Sequence, residues 1–153
     1  MIQKEKQLLL KDLCARLPYG VKIMFSSNGF RWDWEQTLDE IRQCEDGEYA
    51  INGWGIHGIK SYLRPMSSMT EEEREDFYQN VLDMDIEDVR YENDGKLPLP
   101  YNQKDKFIWF ENIYLDNTFA VIDWLNAHHF DYRGLIERGL AIAVTKENNP
   151  YEN

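Results

Sequence analysis

Val21-Lys-Ile-Met-Phe-Ser-Ser-Asn-Gly-Phe-Arg-Trp-Asp-Trp34 is the stretch that decides the fold class. Val21 to Phe25 are strand formers, and Asn28-Gly29 tolerates the positive φ angles of a tight hairpin turn. Phe30, Trp32 and Trp34 then alternate with Arg31 and Asp33, as a return strand does. An antiparallel hairpin is expected here.

Upstream, Leu10, Leu13, Cys14 and Leu17 recur at three- and four-residue spacing, which predicts an amphipathic helix from Lys4 to Leu17. Pro18 ends it and Gly20 lets the chain turn. Downstream, Trp34, Leu38 and Ile41 fit helical spacing, whereas Glu45-Asp-Gly-Glu48 reads as a turn between strands. Strands are the expectation over 35–44. Gly53, Gly55 and Gly58 suit a bent strand or bulge, and their spacing matches no dinucleotide or phosphate-binding loop.

Thr70 followed by Glu73 is a capping box, which predicts a helix from Glu71 to Leu82 with Phe77, Tyr78, Val81 and Leu82 inward. Asp85 and Asp88 suggest a second short helix through Tyr91. The run Asn93 to Pro100 reads as a loop, either connecting or binding. Phe107–Phe110 and Ile113–Leu115 look like strand, and Asn117 or Thr118 caps a helix to His128. Arg133–Arg138 reads as a helical turn ended by Gly139, and Leu140–Val144 as a short strand. These elements give an α+β fold: a small antiparallel β-meander or barrel-like sheet, an N-terminal helix and two further helices. Residues 1–145 are expected to form a single globular domain and 146–153 a disordered tail.

Aromatic residues make up 14% of the 153 and drive burial. No stretch is apolar for the 18 or more residues a membrane span requires. Met1 to Lys6 lacks the pattern of a signal peptide, so a soluble, cytoplasmic protein is expected. Cys14 and Cys44 have no metal-ligand spacing and are read as buried, reduced thiols. The net charge is −11, and residues 71–94 hold eleven acids against two arginines. That excess repels phosphate backbones and argues against direct nucleic-acid binding.

Lys11-Asp-Leu-Cys-Ala-Arg-Leu-Pro-Tyr-Gly-Val21, Tyr62-Leu-Arg-Pro-Met-Ser-Ser-Met-Thr-Glu-Glu-Glu73 and His129-Phe-Asp-Tyr-Arg-Gly-Leu-Ile136 occur in this order. They resemble a family of small uncharacterised proteins of gut anaerobes and their phages and mobile elements. The resemblance implies an intracellular protein of bacterial or phage origin and strands between residues 35 and 61. It carries over no functional residue.

Three constellations remain. The acidic stretch, through Glu71, Glu72, Glu75, Asp76 and Asp83, can mimic nucleic-acid charge and engage a basic protein partner, or simply solubilise the chain. Asp131-Tyr132-Arg133 can recognise an anion, or Arg133 can bridge to a nearby acid. His128, His129 and Asp131 are the densest cluster of possible ligands, but adjacent helical histidines diverge by about 100°. The reading from sequence is an interaction protein, leaning away from an enzyme, with binding residues Glu72, Glu75, Asp76, Asp83, Tyr132 and Arg133. No catalytic residue, metal or cofactor is assigned. The alternative is a small hydrolase or other enzyme using the His128/His129/Asp131 region.

Overall fold

The structure, a computed structural model, describes residues 1–27, 30–100 and 115–152. The described chain divides into two compact units, one of Met1–Arg64 with Arg133–Asn153 and one of Pro65–Tyr132. In sequence, the second is inserted into the connection between two strands of the first.

The first unit opens with helix α1 (Gln3–Arg16) and continues through β1 (Lys22–Ser27), β2 (Phe30–Thr37), β3 (Ile41–Gln43), β4 (Tyr49–Ile51), β5 (Trp54–Gly55) and β6 (Ile59–Leu63). The expected hairpin forms, with Phe25 opposite Trp34 and Met24 opposite Glu35. Its Asn28-Gly29 turn lies outside the described residues. The segment over 35–44 is strand in two pieces, the end of β2 to Thr37 and then β3 from Ile41 to Gln43, and residues 38–40 between them are irregular. The meander is confined to β3-β4-β5, while β1 pairs antiparallel with both β2 and β6.

Chain returning from the insertion adds β7 (Ala141–Ala143) parallel to β6, giving the order β2-β1-β6-β7. The architecture is α+β with two open sheets, which corrects the barrel-like option. Asn52 ties the β2–β3 corner together, because its side chain accepts from the Asp39 and Glu40 amides and donates to the Thr37 carbonyl.

The core of this unit joins Leu9 and Leu13 of α1 to Ile23, Phe25, Ile59 and Leu63 of the four-stranded sheet. The buried stripe of α1 is Leu9, Asp12, Leu13 and Arg16, rotated from the one expected, so Cys14 is exposed; Cys44, directly after β3, is half-buried where a buried thiol was expected. Two charged residues go inside because they neutralise each other. Arg16 Nε donates to Asp12 Oδ2 at 2.8 Å across one helical turn, with both side chains fully buried, and Arg133 Nε lies 3.5 Å from Asp12 Oδ1. Near the C-terminus, the half-buried Tyr151 hydroxyl donates to the Tyr62 carbonyl and accepts from the Lys22 amide.

The second unit contains α2 (Glu71–Asp76), α3 (Ile86–Glu92) and α4 (Leu115–Ala127). Thr70 Oγ1 accepts from the Glu73 amide while Glu73 Oε1 accepts from the Thr70 amide, so the capping box forms as expected. After Asp76 the helix widens into a π turn, Phe77–Val81, where a regular α-helix was expected to Leu82. This turn places the adjacent Phe77 and Tyr78 both in the core, beside Leu82, Val89, Leu125 and Phe130.

Helix α4 already begins at Leu115, so Asn117 and Thr118 lie in its first turn and do not cap it, and Leu115 is not strand. Residues 107–110 lie outside the described residues. In the first unit, residues 135–139 form a hydrogen-bonded turn in place of a helix, closed by the Leu140 amide on the Leu135 carbonyl, with Gly139 at φ +70°.

Candidate functional site

The acidic segment of the second unit sorts into two groups by what each carboxylate touches. Arg90, on α3, reaches Glu75 Oε1 at 2.7 Å, Glu71 Oε1 at 3.2 Å and Glu87 Oε1 at 3.4 Å. These pairs, Glu75 foremost, hold the Arg90 guanidinium pKa above its usual value and strap α3 to α2. Asp76 accepts from Asn80 Nδ2 at 2.7 Å and from Trp124 Nε1 at 2.8 Å. Those two bonds, helped by the nearby His128 charge, hold its carboxyl below the usual aspartate value against the opposing effect of burial.

Glu75 and Asp76 therefore face partners inside their own unit. Glu72 and Asp83 are exposed, and among the described residues neither enters an ion pair. Asp83 sits at φ +52°, a conformation that Asp and Asn tolerate better than most residues.

The same face continues onto α3. Asp85 caps that helix by accepting from the Glu87 amide. Val89 is buried and Arg90 half-buried, which leaves Glu87, Asp88, Tyr91 and Glu92 on the outer side. Tyr91 is 90% exposed, with acids three and four residues before it and another directly after. At that spacing Glu87 and Asp88 lie beside its ring on the helix surface.

Sequence reasoning placed Tyr91 only as the end of a helix. Helical phase is the signal that finds it, since the stripe through Ile86 and Val89 turns residue 91 outward.

Tyr132 and Arg133 each bond within their own unit: the Tyr132 hydroxyl donates to Asn126 Oδ1 at 2.9 Å, and Arg133 approaches Asp12. His128 stacks on Trp124 with ring centroids 4.0 Å apart, and its Nδ1 is 2.9 Å from the Trp124 carbonyl. His129 is half-buried at φ +62°, and Asp131 is buried. Among the described residues no group of three His, Cys, Asp or Glu side chains is placed to hold a metal ion. No helix among them is long and apolar enough to cross a membrane. Compared with known protein families, curated proteins and solved structures, the chain matches none.

Proposed function

We propose that the outer face of α2 and α3 is a docking surface for a basic segment of a protein partner, with Tyr91 as its anchor. The observation that carries this reading is Tyr91, a large amphipathic ring held 90% exposed on a helix whose outer side is otherwise acidic. Charge alone also suits a solubilising surface. An exposed tyrosine adds nothing to solubility, whereas tyrosines are enriched among the residues that dominate binding energy. Its ring face also attracts Lys or Arg side chains, the groups the surrounding carboxylates attract.

The binding set becomes Glu72, Asp83, Asp88, Tyr91 and Glu92, since Glu75, Asp76 and Glu87 are engaged internally. A basic groove shaped for nucleic acid is one such partner surface, in keeping with the phage and mobile-element lineage the three motifs suggest. Partner capture at low and high salt, with Glu72→Gln, Asp83→Asn, Asp88→Asn and Glu92→Gln combined, tests the proposal. A basic partner retained by the native chain near 0.1 M salt should be lost near 1 M, where the Debye length falls from about 10 Å to about 3 Å. The combined variant should fail to retain it at either salt. Equal retention by that variant would refute the reading.

A further inference from the structure

The first unit carries a cavity of about 530 Å³, within the size range of small-molecule pockets. Its lining takes Met24 and Lys60 from β1 and β6 together with the core residues Ile59 and Leu140. Ile23 and Phe25 of β1 are buried, as are Ile59, Ser61 and Leu63 of β6, so Met24, Lys60 and Tyr62 occupy the alternate positions. Met24 pairs directly with Lys60, and Ile142 of β7 pairs with Tyr62. Met24, Leu140 and Ile142 give the cavity its apolar lining.

Its polar lining comes from separate segments: His57 from the turn before β6, Lys60 from β6, Arg138 from the turn before β7 and Glu5 from the first turn of α1. Among the described residues no ion pair engages His57, Lys60 or Arg138. Glu5, the one carboxylate among the described lining residues, already accepts from the Ile2 amide. In a chain of net charge −11, two free cations and a histidine thus share one concave, half-apolar site.

We propose that this cavity binds a small amphipathic organic anion, its carboxylate or phosphate head held by Lys60 and Arg138 and its apolar body lying on Met24, Leu140 and Ile142. The site is independent of the acidic docking face. The experiment titrates the full chain with 8-anilinonaphthalene-1-sulfonate, followed by fluorescence, and then displaces it with decanoate, decyl phosphate or inorganic phosphate. The expected result is saturable one-to-one binding, displaced by either decyl anion more readily than by inorganic phosphate. Decanoate winning identifies a carboxylate ligand and decyl phosphate a phosphate ligand.

Lys60→Gln with Arg138→Gln should weaken binding at least about tenfold, as expected when charge-assisted hydrogen bonds are lost. Both side chains are exposed, so unchanged circular dichroism is expected. Lys11→Gln with Arg42→Gln, exposed cations outside the cavity lining, should leave binding unchanged. Absence of saturable binding, equal loss in the two double variants, or better displacement by inorganic phosphate than by decyl phosphate would each overturn the proposal.

Discussion

Asp12→Ala should be among the most damaging single substitutions in the first unit, although it shortens an acidic residue on an amphipathic helix. Asp12 and Arg16 are both fully buried, with 2.8 Å between Nε and Oδ2. Removing the carboxylate takes the buried Arg16 guanidinium's paired negative charge away, and breaking a buried pair in this way costs about 3–5 kcal/mol. At about 2–4 °C per kcal/mol for a chain of this length, the melting temperature should fall by roughly 6–20 °C. Replacing both partners by apolar residues, Asp12→Leu with Arg16→Met, removes the buried charge as well and should recover most of the loss. Thermal unfolding followed by circular dichroism measures all three proteins. A single-variant drop under about 3 °C, or a double variant less stable than the single, would show that the two charges are not coupled as the geometry requires.

Tyr151→Phe strips partners from the Lys22 amide and the Tyr62 carbonyl, and should lower unfolding stability by about 1–3 kcal/mol in urea titrations. The Tyr78 phenol is pushed up to about 12 by burial, with Arg74 opposing. Its folded value exceeds the unfolded one, so its contribution is complete below pH ~10 and lost as pH rises towards 12. Burial also pushes the Tyr151 phenol up, so tyrosinate absorbance should show late-titrating phenols that include Tyr78, and Tyr78→Phe should remove one of them while that of Tyr151 remains. Asp76 has the opposite sign: its lowered carboxyl stabilises the fold above pH ~4 and the contribution disappears as pH falls through the folded value. Asp76→Asn should flatten the acid limb of stability against pH, read from Trp fluorescence in urea.

The strands were legible because two of their determinants are local: side-chain alternation and the Asn28-Gly29 and Glu45–Glu48 turn signals. The capping box was equally readable, since Thr70 and Glu73 satisfy each other within one turn. The face of α1 was misread because hydrophobic periodicity counts Asp12 and Arg16 as polar, whereas their pairing lets them take inward positions and moves Cys14 out. The parallel partner of β6 comes from beyond the inserted unit, a pairing no local pattern encodes.

At the candidate site, the acidic charge was plain in composition. Its division into structural and outward carboxylates was not, because it depends on Arg90 and Trp124 meeting Glu75 and Asp76 from other helices. Tyr91 escaped notice because an aromatic in a helix is ordinarily assigned to the core, and only the phase set by Val89 turns it outward.

Photo-crosslinking from position 91 tests most directly whether Tyr91 and the acids around it contact a basic protein segment. Tyr91→p-benzoylphenylalanine, irradiated in cells and mapped by mass spectrometry, should join the chain to a Lys- and Arg-rich segment. The product should vanish when irradiation is repeated on the isolated complex near 1 M salt. Crosslinks of equal yield from Lys11→p-benzoylphenylalanine in the other unit, or products joined to acidic or uncharged segments, would contradict the account.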